Sequence, residues 1–488
     1  MKKYKHQDNR LDSSSQGNGE FSRCIFFHWD GARYDQFTKL LEKHYLPNVQ
    51  KYLISKGKYT LGFTCLPSTT GPANLPYLAG TLPGTGNIPG VRWFERTKPN
   101  SFIDGRVTYM GLYPGVIDKH LKSDQKTLFD LIPKSIAINS PINRGAKKKN
   151  NFKKLILSKT TNNWYYIDQY GAEQLESLVS KEFGFIFANF QLIDKLSHYI
   201  SPISNKTLIA YISLDKIVGK VARILENQNR LDDTLLIVSS DHGQSENSGH
   251  FNLYRFCKKF FDSECFPFPV KRNFSCLVAE QGNKSGFIYL KRDSSWEKKC
   301  SHEFLENSSK YSHFLNALSK RKELDLILTR DENNNTIITK KDQVSRITKN
   351  GKQFQYEFEK RDPLGIGIEG CFDLQSSFEL TAGSDYPDIL LQATQIFDSS
   401  RTSDIVVLAK SDYDFRESYL HVKRLWHSYE WPQHQSGHGG ISKHQFRTPI
   451  AINYEISNNQ LRSLDLYPTI LKLLGIKIRD NYLYQSCV

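Results

Sequence analysis

At 488 residues, with 39% hydrophobic and 24% charged side chains, the chain has a globular composition and is long enough for one large α/β core with insertions or for several ordinary domains. Its net charge of +15 and pI near 9.2 suit an anionic partner, but the only dense basic run is Lys147, Lys148, Lys149, Lys153 and Lys154, and no nucleic-acid module is recognisable. Eight cysteines without a CxxC pair argue against a disulfide or zinc-finger framework, and no run approaches the ~18 to 20 apolar residues of a membrane span, so free thiols in a reducing compartment, the cytoplasm, are expected.

In chain order, residues 1–21 are charged and polar with no apolar stretch, and predict a disordered lead-in rather than a signal peptide or anchor. The rest, 22–488, alternates short apolar runs with helical patterns. Cys24–Trp29 predicts a buried strand that runs into Asp30-Gly31, then a helix over Asp35–Ser55 and a strand over Tyr59–Cys65. An insertion is expected at about 94–163. Phe183–Phe190 predicts a strand aimed at Asp194 and His198, Asn205–Asn227 a long helix, and Thr234–Ser239 a strand ending in Asp241-His242-Gly243. The pattern then deteriorates into charged, Asn-rich segments, which predict a second insertion at about 255–384 before the chain re-enters the sheet. Asp404–Ala409 and Pro449–Asn453 read as further strands of that sheet, with Gly437-His438-Gly439-Gly440 ahead of the latter and a helix over Ser463–Leu474 behind it. The alternation predicts an α/β fold, a mostly parallel central sheet sandwiched by helices, with inserted cap segments. No internal repeat is present.

In such sheets reactive groups collect at the carboxyl ends of strands. Asp30, Asp194 with His198, and Asp241 with His242 all fall at that edge, and the glycines around His438 leave room for close approach of a metal or ligand. Carboxylates and imidazoles together suit zinc or a similar divalent ion. Singly, each piece is also what a turn or a surface helix pair would show; the order of the set is what carries weight.

That order is Asp, a hydroxyl about forty residues on, Asp-x-x-x-His, Asp-His-Gly and a distant Gly-His-Gly, and it resembles the alkaline phosphatase superfamily over roughly 22–95, 180–255 and 385–475. Within it, the type I phosphodiesterase and nucleotide pyrophosphatase branch has a nucleophile followed by proline at the second residue, glycine at the tenth and proline at the thirteenth; Thr70, Pro72, Gly80 and Pro83 fit. A sulfatase-like register on Cys65 fails, because Thr69 replaces the basic residue and Leu75 the glycine. The resemblance implies Thr70 as covalent nucleophile at a helix start. It also implies one metal on Asp194, His198 and His438 and a second on Asp30, Asp241 and His242 with Thr70 leaning on it. The pair of divalent ions would be zinc by first choice, with manganese also compatible.

The sequence departs from that branch where an asparagine, twenty-one residues after the nucleophile, helps hold a non-bridging phosphate oxygen: here the position is Val91, followed by Arg92. A guanidinium is a bidentate, fully charged fork, which suits a more highly charged phosphate. The implied activity is hydrolysis of phosphate esters or phosphoanhydrides through a phospho-threonine, on a phosphorylated small molecule such as a nucleotide-like or lipid-headgroup diester. The alternatives are a phosphomonoesterase or phosphomutase on the same scaffold, with Arg92 binding substrate, or a silent binding protein. His250, soon after Asp-His-Gly, fits no ligand slot and is a candidate for a supporting role behind the ligands.

Overall fold

The structure is a computed structural model that describes residues 19–97, 105–109, 116–149, 164–265, 274–415, 434–477 and 486–487. Most of the expected lead-in and part of the 94–163 segment, including Lys153 and Lys154, lie outside the described residues. Phe21, at the end of that lead-in, donates its backbone N–H to the Leu473 carbonyl at 3.1 Å and meets Tyr454 edge to face.

The apolar run Arg23–Trp29 is the middle of an eight-stranded sheet whose order is 460–462, 58–63, 447–452, 234–239, 23–29, 185–190, 135–138, 148–149. Alternate residues of the strand face opposite ways, as a pleat requires. Ile25, Phe27 and Trp29 join one hydrophobic cluster with the helices Tyr34–Glu42, Trp164–Val179 and Asn205–Asn227, while Cys24 and Phe26 join another with the helices Leu75–Ala79 and Leu466–Leu473. Burial on both faces explains why these strands read as unbroken apolar runs.

The strand 23–29 lies between 185–190 and 234–239 and is parallel to both, as expected. Two others differ. Arg447–Ile452, expected to be parallel, is antiparallel to both its neighbours, Lys58–Phe63 and Thr234–Ser239. Ile405–Ala409, expected in the same sheet, instead sits inside a second, nine-stranded sheet, antiparallel to Ser285–Leu290 and Leu324–Arg330. An apolar run buried on both faces has the same composition in either sheet, so pattern alone could not place it. Conversely Ser135–Ile138, in a segment with no expected strand, pairs in parallel with Phe185–Phe190. The helix expected over Asp35–Ser55 is broken into Tyr34–Glu42 and Pro47–Tyr52, because Pro47 excludes the helical conformation at Leu46.

The helix Ile389–Gln395, which packs on the second sheet, is tied to the first sheet through a buried ion pair at its N-cap residue. Arg462 Nη2 meets Asp388 Oδ1 at 2.8 Å and its Nε meets Oδ2 at 3.0 Å, both side chains almost fully enclosed. Arg462→Met should therefore cost about 3–5 kcal/mol by stranding the Asp388 carboxylate, read as a lowered denaturation midpoint. Arg462→Met combined with Asp388→Asn should lose less than the two single losses added.

Candidate active site

The sheet brings the candidate residues to one edge. Asp30 follows the strand 23–29, Asp194 lies in the first turn of the helix Leu192–Tyr199 that follows 185–190, and Asp241 and His242 follow 234–239. Asp194 and His198 are four residues apart on that helix, hence on one face, with His198 Nε2 3.3 Å from Asp194 Oδ1. His438 reaches the same edge because the strand it precedes runs antiparallel: before a parallel strand, the same loop would lie at the opposite edge. Its Nε2 lies 3.7 Å from Asp194 Oδ1.

Two groups result whose ligand atoms all lie within 4.8 Å of one another, Asp194 with His198 and His438, and Asp30 with Asp194 and His242. Asp194 belongs to both. Asp241 stands beside the second group, with Oδ2 3.4 Å from His242 Nε2 and that oxygen otherwise buried without a hydrogen-bond partner among the described residues. Thr70 Oγ1 lies 3.2 Å from Asp30 Oδ1 and 3.2 Å from His242 Nε2. Arg92 stands apart, its Nη1 donating to the Glu280 carbonyl at 2.9 Å.

The donor set fits a metal. Each imidazole has its Nδ1 against a backbone carbonyl: His198 on Ser436 at 3.1 Å, His438 on Ser68 at 2.9 Å and His242 on Gly243 at 3.1 Å. The proton is thereby held on Nδ1 and the Nε2 lone pairs are turned toward the carboxylates, the arrangement metal-ligating histidines take. His242 and His438 stack at 3.7 Å with an 11° interplanar angle, which two neutral rings tolerate and two cations would not.

Electrostatics agree. Burial, reinforced by Asp241 and Asp194, raises the Asp30 carboxyl well above its usual range. Burial also raises Asp241, against the opposing pull of His28. At Asp194 burial is outweighed by the Lys195 ammonium and the imidazoles of His198 and His438, which hold it well below the usual range. Burial pushes His242 down to about 3, and burial, with the His242 ring stacked against it, pushes His438 well down. The metal-free site thus sets three carboxylates against a single ammonium, that of Lys195.

Several contributors escaped sequence reasoning. Lys195 Nζ holds Asp194 Oδ2 at 2.7 Å. Gln244 Nε2 donates to Asp194 Oδ1 at 2.6 Å and its Oε1 accepts from Ser436 Oγ at 2.5 Å, fixing the carboxylate shared by both groups. His28 Nε2 lies 3.6 Å from Asp241 Oδ1, its Nδ1 2.7 Å from Asn189 Oδ1. The one available signal was a polar residue in an otherwise apolar central strand. His250 belongs to neither ligand group; its Nδ1 meets Asp414 Oδ1 at 2.5 Å. Cys65 is a buried thiol whose pKa burial drives far up. Thr70 is followed by a single turn, Pro72–Asn74, and the five-residue helix Leu75–Ala79 rather than by a long helix, so the groups that act on its hydroxyl are the carboxylate and imidazole beside it more than a helix dipole.

A large central sheet flanked by helices, with hydroxyl, carboxylates and imidazoles gathered at one edge, defines a hydrolase of the alkaline-phosphatase-like class. The chain belongs to the type I phosphodiesterase / nucleotide pyrophosphatase family, whose model matches residues 24–439, and is a phosphoric ester hydrolase. No curated protein matches it in sequence. In fold it is similar to phosphonoacetate hydrolase from Sinorhizobium meliloti 1021 in complex with phosphonoformate (11% identity, TM-score 0.57, covering 94% of this chain and 96% of that one). It is likewise similar to human ectonucleotide pyrophosphatase / phosphodiesterase 5 (13% identity, TM-score 0.55, 93% and 95%).

A carboxyl with a raised pKa keeps its proton to a higher pH, so a metal entering at Asp30 must displace that proton, and affinity falls as pH falls through the raised value; imidazoles with lowered pKa values are already neutral and do not compete. Calorimetry of zinc addition in buffers of different ionisation enthalpy should therefore show net proton release, smaller in Asp30→Asn. Uptake without proton release would contradict the electrostatics.

Proposed function

We propose that the enzyme cleaves phosphate esters or phosphoanhydrides by in-line attack of the Thr70 hydroxyl on phosphorus, forming a phospho-threonine that water then hydrolyses. The observation that carries this reading is the place of Thr70 Oγ1, half-exposed at the mouth of a buried carboxylate cluster and 3.2 Å from both Asp30 Oδ1 and His242 Nε2. Asp194, His198 and His438 would hold one divalent ion and Asp30, Asp241 and His242 a second, beside Thr70. Zinc is the first choice, with manganese sharing the same donors. Bound there, such ions would supply Lewis acidity, lowering the hydroxyl pKa and neutralising charge on the phosphoryl oxygens.

The chain's own part is orientation. Thr70 donates to Asp30 Oδ1, which leaves its oxygen lone pairs free to face the phosphorus, while Gln244 and the backbone carbonyls on the imidazoles keep the ligand atoms aimed inward. The bond from phosphorus to the leaving oxygen breaks as the bond to Thr70 Oγ1 forms, and the second displacement, by water, restores the hydroxyl.

For the substrate we take a nucleotide-like or lipid-headgroup diester, in keeping with the family and with the diesterase named in the human structure. Phosphomonoester hydrolysis or phosphoryl transfer on the same scaffold is the second reading, resting on Arg92 as a substrate-binding cation. The Arg92 guanidinium is bonded to the Glu280 carbonyl, which supports the diester reading, because a fork already engaged with a carbonyl has less to offer a dianion. Segments 94–163 and 255–384 are taken as insertions that wall the pocket within one catalytic domain, 22–488. No described helix is long and apolar enough to cross a membrane, and the seven described free cysteines support a reducing compartment, the cytoplasm.

Thr70→Ala should abolish turnover of bis-p-nitrophenyl phosphate while the folded state loses no more than about 1 kcal/mol, the order of a lost cap. A fully active Thr70→Ala protein would end the mechanism. Asp194→Ala and His438→Ala each remove a ligand of the first ion only, so metal analysis of either variant should find that ion lost and the ion at Asp30 retained, whereas Asp241→Asn should lose the second. Arg92→Ala should lower monoester and diester kcat/KM by similar factors; a monoester loss larger by more than about tenfold would favour the second reading.

A further inference from the structure

The position at which the family places its phosphate-holding asparagine cannot act here. Val91 is apolar and 1% exposed, and its backbone N–H is given to Gln281 Oε1 at 2.7 Å. The strand that begins beside it, Arg92–Phe94, pairs antiparallel with Arg106–Thr108 in the register Arg92 opposite Thr108. That register sets Tyr109 directly across from Val91, and the Tyr109 N–H donates to the Val91 carbonyl at 3.2 Å.

The Tyr109 ring then turns toward the nucleophile. A Cβ built on Gly71, the residue after Thr70, would collide with Cζ and Oη of Tyr109 and lie 3.0 Å from Ile117 Cδ1. Glycine at 71 is needed twice over, for that approach and for its φ of +101°. The phenol end therefore lies against the backbone of the nucleophile loop, with the ring packed on the cluster that contains Ile117 and Trp93. Burial first, and then the charges of Asp241 and Asp30 against that of Arg92, raise the Tyr109 phenol well above its usual range, so it lies within electrostatic reach of both the carboxylate edge and the Arg92 guanidinium. Its oxygen has no hydrogen-bond partner among the described residues, although the side chain is only half-exposed. A half-exposed phenol next to the nucleophile, its hydroxyl bonded to none of the described residues, is a donor that a substrate oxygen can take up.

We propose that the Tyr109 hydroxyl donates to a non-bridging oxygen of the phosphoryl group undergoing attack by Thr70, the donor having moved from position 91 to the residue facing it on the paired strand. The proposal rests on the phosphoesterase reading above. The donor is neutral, so it serves monoanionic and dianionic phosphates alike, and Arg92 acts behind it by its field. It makes Tyr109 a catalytic residue of this chain and Gly71 the residue that admits it.

The test uses the full-length metal-loaded protein and Tyr109→Phe, which keeps the ring and removes only the hydroxyl. Diester kcat should fall on the order of 30- to 100-fold with KM nearly unchanged, as for loss of one preorganised donor to developing charge. Orthovanadate, a mimic of the five-coordinate phosphorus, should bind more weakly by a similar factor, measured as displacement calorimetry rather than as activity, while metal content and Tm stay at wild-type values. A Tyr109→Phe protein within about twofold of wild type in both kcat and vanadate affinity would overturn the proposal. So would a loss of activity accompanied by loss of metal or of Tm, which would make Tyr109 a packing residue only. A wild-type protein that neither turns over phosphate esters nor binds vanadate would instead overturn the phosphoesterase reading itself, a result distinguishable from failure at Tyr109 alone.

Discussion

Three carboxylates, Asp30, Asp194 and Asp241, are buried within reach of one another at the end of three adjacent parallel strands, and the rest of the molecule is organised around that cost. Unpaired charge in an enclosed site is expensive, so such a cluster persists only if protons or cations compensate it. The chain supplies one ammonium, on Lys195, and imidazoles held neutral by burial. Neutral imidazoles with lone pairs facing carboxylates do not neutralise them; they leave a cavity electrostatically suited to divalent cations.

The architecture meets this demand with two devices. The antiparallel strand 447–452 brings the His438 loop to the edge where the parallel strands 23–29, 185–190, 234–239 and, ahead of Thr70, 58–63 end. The second sheet then braces that loop from behind: the turn after its strand Cys276–Gln281 gives the Asn283 and Lys284 N–H groups to the His438 carbonyl at 2.9 and 3.0 Å. Gly439, at φ +113°, lies so close to the Gln281 carbonyl that no side chain would fit. The nine-stranded sheet is thus a buttress for a ligand loop as well as a wall, and Gln281 extends the same support to Val91 and Arg92 through its amide.

Much of this was legible in the sequence because the chemistry is carried by spacing within short segments. Asp194 and His198 are one helical turn apart, and Asp241-His242 ends an apolar run, so their convergence needs only the rule that parallel strands share an edge. What stayed hidden depends on long-range pairing. The direction of 447–452 and the sheet membership of 405–409 are set by which neighbours they meet, and a run buried on both faces carries no mark of either. Gln244 and Lys195 act through side-chain contacts to Asp194, and nothing in their sequence neighbourhood announces them. Tyr109 is the sharpest case: thirty-nine residues beyond the nucleophile in sequence, it reaches Gly71 only through the register of a three-residue ladder.

Thr70 Oγ1 as the atom that takes the phosphoryl group is the centre of the proposed mechanism. Rapid acid quench of the metal-loaded enzyme during turnover of a phosphate diester, followed by digestion and mass spectrometry, locates that group directly. The account predicts a single added phosphoryl or phosphoester on the peptide containing Thr70, absent in Thr70→Ala and in metal-stripped protein. Turnover with no covalent adduct under conditions where the second displacement is slowed, or an adduct on a histidine or on Cys65, would contradict it.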